Sequence, residues 1–395
     1  MMNTIGFALR SLVRQPARTT LAVLGVAAVG ALLFDMLLLS EGLVVSMRDL
    51  LEKTGFDLRV TATDDIPGPG PRIENASDAA AAIARLPMVR SSLAVRLAGG
   101  RLEGAHTARP LFVDFQGISG GPGRAWTVLR GRDVERTGEV VINPGIATAL
   151  DAAPGSTLVF RASCSEDSAL PPVKLLVAGV AEFPFEAPGE RTVGGAIDTI
   201  DAACGGNSAD EANLILVASD GDADSAAAAI QALRPDLHAV TNEQILGRLR
   251  ESGFTYFRQI STVLTTVTVT FAVLLITVLL TVSVNQRLGE IAALRALGFS
   301  QLRVVADVLC ESALLVGTGG LLSLPLGALL AGWLDGILKG IPEIPAGIHF
   351  FVFEASALGV HAVLFVATAM IAAVYPMLIV ARLPIAATLR NEVTS

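Results

Sequence analysis

Apolar residues along the chain follow two regimes. In the first they run on without interruption. No charged side chain occurs between Arg258 and Arg287, between Glu311 and Asp335, or between Glu354 and Arg382, gaps of 28, 23 and 27 residues with His361 counted as neutral. Each exceeds the roughly 20 apolar residues that a helix needs to cross a bilayer's hydrocarbon core. A fourth run extends from Arg18 to about Leu43, broken by Asp35 and Glu41. These runs predict four membrane-spanning helices: 19–45 (with a stalk), 259–285, 304–334 and 354–381. A short loop, 335–353, joins the last two.

The second regime occupies 46–255, where short apolar stretches alternate with polar ones. Residues 56–62, 89–98, 155–161, 173–180 and 214–218 read as strands. Residues 77–86 and 224–233 read as helices, and 138–150 (GEVVINPGIATAL) as strand, turn and helix. Ile66 to Pro71 (IPGPGP) reads as a stiff loop. The alternation predicts an α+β domain inserted between the first and second spans. No tandem repeat of fixed period is present.

Charge sharpens this division. Residues 46–255 carry 19 Lys/Arg and 28 Asp/Glu, a net of −9, and the rest of the chain nets +1, giving −8 overall. Charged residues make up 17% of the whole, against about 25% in ordinary soluble chains, and mean hydropathy is +0.59. An acidic chain without a basic face is not a dedicated nucleic-acid binder. Three cysteines exclude a cysteine-rich zinc module or a dense disulfide scaffold. Arg10, Arg14 and Arg18 precede the first span. Arg287, Arg295 and Arg303 lie between the second and third, and Arg382 and Arg390 follow the fourth. An apolar run longer than a signal peptide's, without a convincing small-x-small site after it, reads as an uncleaved first span. The positive-inside rule then expects the amphipathic segment over 1–18 and the tail over 382–395 in the cytoplasm. It places 46–255 outside the cell membrane.

Candidate chemistry is sparse. The lysines are Lys53, Lys174 and Lys339, and none follows a glycine, so no phosphate-binding P-loop is written here. Gly117 to Gly121 (GISGG) matches the G-x-S-x-G hydrolase elbow, but Pro122 and Gly123 follow where a helix is required; a glycine loop is the better account. His106, His238, His349 and His361 show no metal-ligand spacing. No cofactor or metal is expected on this chain. Cys164 and Cys204 both fall in the outside block. In an oxidising compartment they are candidates for a disulfide, with the free thiols equally open. Asp35, Asp307 and Glu311 are acids within or beside spans. Asp307 and Glu311 are expected at the cytoplasmic interface near Arg303, and Asp35 at the outer end of its span facing water. Gly332, Gly336 and Gly340, spaced by four, permit close helix packing, with Gly317, Gly319 and Gly320 as further candidates.

The segment 286–303 (QRLGEIAALRALGFSQLR) links the second and third spans. Ile291, Leu294 and Leu297 are expected to form an apolar stripe, Arg287, Glu290 and Arg295 supply charge, and Gly298 suits a C-terminal cap. Such a helix either docks into a groove on a partner or lies on lipid.

The run from Arg287 to Gly298 (RLGEIAALRALG) resembles the coupling-helix signature of MacB/FtsX-like ABC transporter permeases. Glu311-Ser-Ala-Leu-Leu with Gly319, Gly320 and Gly327 is similar to that family's third span. Arg382-Leu-Pro with Ala387-Thr-Leu-Arg is similar to its tail, and Arg10-Ser-Leu-Val-Arg followed by Arg18-Thr-Thr-Leu-Ala to its start. The order of spans around a large outside domain is also shared. The resemblance implies a non-enzymatic, four-span inner-membrane permease subunit without a fused ATPase. Its expected partners are a separate ATPase that holds ATP and magnesium, a second permease copy or paralogue as dimer, membrane lipid and a periplasmic adaptor. It further implies that ATP turnover drives motion outside the membrane, called mechanotransmission, for export or extraction of a lipoprotein, lipid, peptide or drug. The alternative is a relay that controls a cell-wall hydrolase or sensor without transport.

Overall fold

The computed structural model describes residues 16–64, 71–104, 109–120, 125–164, 170–205, 210–253, 255–286, 288–298, 300–341, 345 and 347–382. Two compact units emerge. A helical unit combines the chain up to Leu43 with Phe254–Leu338 and the stretch from His349 onward; an α/β unit comprises Val44–Gly253 and Lys339–Ile348.

The helical unit is built on α1 (Pro16–Lys53, which also enters the α/β unit), α7 (Thr255–Asn285), α8 (Leu288–Ala296), α9 (Gln301–Leu338) and α10 (Ala355–Ala381). All except the short α8 are long and apolar enough to cross a membrane. Some hydroxyls within them are satisfied by their own helix, as Thr266 and Thr270 donate to the carbonyls four residues back at 2.8 Å each, and others by a neighbouring helix, as Thr277 donates to Ala372 O at 3.2 Å.

The helices touch through small residues. A Cβ added to Gly319 of α9 would lie 2.6 Å from Val26 of α1, and one on Gly30 of α1 would lie 2.7 Å from Ser323. One on Gly327 would come within 2.9 Å of Phe34. Gly319, Ser323 and Gly327 are four apart, so they form one ridge along α9. The other glycine series differs: additions at Gly317, Gly332 and Gly336 would meet nothing within 4 Å. Those three sit on an open face.

The α/β unit contains β1 (Leu58–Thr61), β2 (Ile73–Glu74), β3 (Val89–Glu103), β4 (Leu111–Gly120), β5 (Thr127–Gly131), β6 (Glu139–Ile142), β7 (Thr157–Ala162), β8 (Val173–Glu182), β9 (Thr192–Ala196), β10 (Glu211–Ala212), β11 (Leu214–Ser219) and β12 (His238–Thr241). Helices α2 (Ala76–Ala84), α3 (Pro144–Ala149), α4 (Ile197–Ala203), α5 (Ala223–Leu233) and α6 (Asn242–Arg248) lie between them. β2 pairs with β10; the others share one mixed sheet in the order β12-β1-β11-β3-β4-β9-β6-β8-β5, with β7 bonded to both β3 and β8. The pairings β3–β4–β9–β6–β8–β7–β3 therefore close a ring of six strands. Leu102, Phe115, Ile142, Phe160 and Val193 fill its core. A second core lies under the open part of the sheet, where α2 and α5 cover Leu58, Val60, Ile215 and Val217.

Local sequence explains several of these elements. Asn143 caps α3 by accepting from the Ile146 N–H at 2.8 Å, and Pro144 occupies the first turn, where its missing N–H costs nothing. Asp222 caps α5 through Ser225. Thr241 and Gln244 make a reciprocal capping box on α6. Long β3 serves both halves: its first residues pair with β11 and its last with β7. Gly100, in the end that pairs with β7, lies against the Phe160 ring, which leaves no room for a Cβ.

Candidate functional site

The candidate coupling segment forms α8 as a nine-residue helix with a sharp stop. Its last turn closes through Leu297 N–H to Ala293 O at 3.0 Å and Gly298 N–H to Arg295 O at 3.1 Å. Gly298 takes φ +92°, the left-handed conformation that ends helices cheaply only with glycine.

The expected stripe of Ile291, Leu294 and Leu297 is split. Ile291 is buried and packs with Val284 and Val380, alongside Leu288 and Val305. Leu297 is 77% exposed. The reason is geometric: two steps of three residues fall short of full turns, so the third position drifts by about 120° from the first at 3.6 residues per turn. Two faces result. Gly289, Ile291 and Ala292 are buried, while Glu290, Ala293, Ala296 and Leu297 are exposed, with Arg295 half-buried between. The side chain of Leu294 and all of Arg287 lie outside the described residues. An exposed apolar tip beside an acid, on a helix pinned by its other face, can be grasped by a partner without unfolding anything.

The acids divide similarly. Asp35 is 1% exposed, which corrects the expectation that it faces water. It follows Phe34 on α1, and Phe34 and Leu38 are themselves fully packed. Among the described residues neither carboxylate oxygen of Asp35 has a hydrogen-bond partner. Glu311 is half-buried, and the side chain of Asp307 lies outside the described residues. At the far end of α9, Asp335 accepts from the Phe350 N–H at 2.8 Å and contacts His349 Nδ1 at 3.1 Å. His361 meets the Ser323 hydroxyl at 3.2 Å.

In the α/β unit, Cys164 and Cys204 form a disulfide with Cα atoms 5.7 Å apart. It ties the end of β7 to the C-terminus of α4. Cys310 is free. Ser119 lies within β4, not in a loop or on a strand-to-helix turn, so it has no elbow geometry. No group of three or more His, Cys, Asp or Glu with metal-binding geometry occurs among the described residues. His106 and residues 121–124 lie outside them.

Two features escaped the sequence pattern. Ala293 belongs to the exposed face of α8, a position that a search for large apolar residues overlooks. The Gly319, Ser323, Gly327 ridge was legible as small residues spaced by four, but the serine in its centre hid it among glycines.

An α/β domain placed after one apolar helix and before three others defines the architecture of a multi-span membrane protein with a large domain outside the bilayer. Two family models match the chain. The FtsX-like permease C-terminal model covers residues 262–385, and the MacB-like periplasmic core domain model covers 19–233. The second spans more than half of the chain. This protein therefore belongs to the MacB/FtsX-like ABC transporter permeases, a family that supplies the permease component and not the ATPase. Solved structures with similarity include the periplasmic region of MacB from Actinobacillus actinomycetemcomitans, at 14% identity and TM-score 0.39, covering 52% of this chain and 99% of that one. The extracellular domain of the noncanonical ABC-type transporter YknZ from Gram-positive bacteria matches at 13% identity and TM-score 0.33, covering 47% and 99%. No curated protein matches the chain.

Proposed function

We propose that this permease component couples ATP hydrolysis on a separate ATPase subunit to movement of its extracytoplasmic domain, for export or extraction of a hydrophobic or amphipathic cargo. The observation that carries this reading is the two-faced α8. Ile291 and Ala292 anchor it to the helical unit, and Glu290, Ala293 and Leu297 present an outward face. ATP and magnesium bind the partner. The permease works as a dimer, with a second copy or a paralogue, and its termini and α8 lie in the cytoplasm, in keeping with the arginines around them. Helix α1 is the element that carries the motion, since its residues belong to both units.

The test is co-purification of a P-loop ATPase with the tagged chain in mild detergent, read by mass spectrometry. Leu297→Asp should abolish the association while membrane insertion and thermal melting stay normal, because the side chain packs on nothing inside. Ile291→Asp should disturb both. Retention of the ATPase by the Leu297 variant would remove α8 as the docking element.

A further inference from the structure

Helices α2 and α5 cover one face of the open part of the sheet. On the opposite face, strand alternation lines up Arg59 of β1, Leu216 and Leu214 of β11, and Val95 and Leu97 of β3. The pairings fix their order: Arg59 stands opposite Leu216, and Leu214 opposite Val95. An apolar path therefore leads from Arg59 diagonally across three strands, and Phe183 clusters with its middle. Met47 and Leu51 of α1 and the segment 183–186 wall it in, leaving a cavity of about 490 Å³, within the usual range for ligand sites of about 300–1,000 Å³.

Arg59 marks one end of the path and is only 7% exposed. Its Nη1 donates to the neutral Asn242 amide and its guanidinium stacks 5.8 Å from the Phe185 ring, but Nη2 has no hydrogen-bond partner among the described residues. A buried cationic donor without an acceptor is a costly arrangement that an incoming anion relieves. Burial pushes the Arg59 pKa down to about 10, so the cation persists at neutral pH. Asp114, Glu186 and Glu190 also border the cavity, but they do not answer this charge. Asp114, opposite Gly99, lies one strand and two residues beyond Leu97. Asp114 and Glu190 are both exposed to water, which screens them. Glu186 is engaged by Asn143 and Thr192. What the fold leaves unsatisfied is one buried positive charge at the head of an apolar path.

We infer that this cavity binds a single-chain amphiphilic anion of the fatty-acid class, with its carboxylate at Arg59 and its tail along Leu216, Leu214 and Val95. A guanidinium and a carboxylate make a charge-assisted hydrogen bond, stronger than one between neutral groups, and each methylene of the tail exchanges water for an apolar wall. The bound tail also touches Met47 and Leu51 of α1, the helix whose residues belong to both units. The inference goes beyond the export reading and does not rest on it, since binding is read with no ATPase present.

The experiment is photo-crosslinking of the full chain in amphipol with decanoate that carries a diazirine on its tail, mapped by mass spectrometry of the labelled peptides. Labelling that excess unlabelled decanoate displaces should fall on β3 and β11. Decanol, which keeps the tail and loses the charge, should displace it about tenfold less effectively or worse, the loss of one charge-assisted hydrogen bond. Acetate, which keeps the charge and loses the tail, should compete more weakly still, at about fourfold per buried methylene. Decylammonium should not compete. Arg59→Gln should lower the displaceable labelling about tenfold or more. The label position and the head-group comparison, both read on the unaltered chain, keep the test decisive if that variant fails to fold. Displaceable label that is absent or confined to the spanning helices overturns the inference. So does decanol competing as well as decanoate, which would mark a merely apolar cleft, and so does decylammonium competing better, which would give the ligand's charge to the acids.

Discussion

The two units bury apolar residues for different reasons, and their contacts differ accordingly. In the α/β unit, water drives large side chains inward: Phe115 and Phe160 are fully buried with ring centroids 5.2 Å apart, inside the closed ring of strands. Each such burial is worth about 1.5–3 kcal/mol. In the helical unit some large side chains pack inside, as Phe34 and Leu38 do, but many stay outside. Leu321 and Leu329 are 72% exposed and Phe271 64% exposed on the protein surface, where lipid would surround them. Lipid is as apolar as leucine, so moving such residues inward gains little. What holds helices together there is close approach, and close approach needs small residues at the contact. A core of phenylalanines and a ridge of Gly319, Ser323 and Gly327 are thus two answers to one requirement, set by two solvents.

The largest effect that would test this contrast falls on the α/β unit alone. The Cys164–Cys204 bond closes a loop of 40 residues, worth about 4 kcal/mol in the chain-entropy picture. Reduction, or Cys204→Ala, should lower the melting temperature of the extracytoplasmic unit by about 10 °C. Helical signal from the spanning segments should survive that transition. A melting temperature indifferent to reductant would show that the ring of strands holds without the bond.

A smaller effect, of opposite sign at two glycines, probes the helical unit. Gly319→Ala forces a Cβ to within 2.6 Å of Val26, an overpacking that costs about 1–3 kcal/mol. Gly332→Ala meets nothing within 4 Å and should be neutral or stabilising by up to about 1 kcal/mol, the helix propensity difference. Thermal inactivation of the detergent-solubilised chain measures both. Equal effects at the two positions would mean that glycine there serves helix flexibility and not contact.

The same physics explains what the sequence discloses. Uncharged runs longer than a bilayer are visible in any composition scan, because lipid forbids charge along the whole length. The α/β sheet is harder to read where glycines sit inside strands. β4 (LFVDFQGISG) and β9 (TVGGA) contain the glycines that mark loops elsewhere. In place, a Cβ on Gly117 would strike Ile200 of α4 at 2.6 Å, and one on Gly195 would strike Phe115 at 2.7 Å. These residues are absent of side chain so that a helix or ring can approach the sheet, a tertiary demand that no local pattern shows. In α8 the existence of the helix and its glycine stop were legible. The facing of Ile291 and Leu297 was not, since it depends on Val284 of α7 and Val380 of α10, residues brought near only by folding.

The smallest effect lies in acid and again concerns the α/β unit. Glu139 opens β6 with its side chain 7% exposed, and Arg132 grips it with both guanidinium nitrogens, at 2.7 and 2.5 Å. The N–H groups of Glu135 and Arg136 donate to the same carboxylate. Arg132 foremost, and these donors after it, hold the Glu139 pKa at about 2, below the unfolded value near about 4.3. A depressed carboxyl pKa contributes stability that is fully present above the unfolded value and is lost as pH falls through the folded one. The extracytoplasmic unit should therefore lose melting temperature as pH drops from about 4.3 toward about 2, and Glu139→Gln should flatten that slope. The guanidinium is half-exposed, so screening keeps the effect modest and added salt should shrink it further. An acid slope that persists unchanged in the Gln variant would assign it to other carboxylates and leave the Arg132–Glu139 pair as geometry that positions β6 without stabilising it.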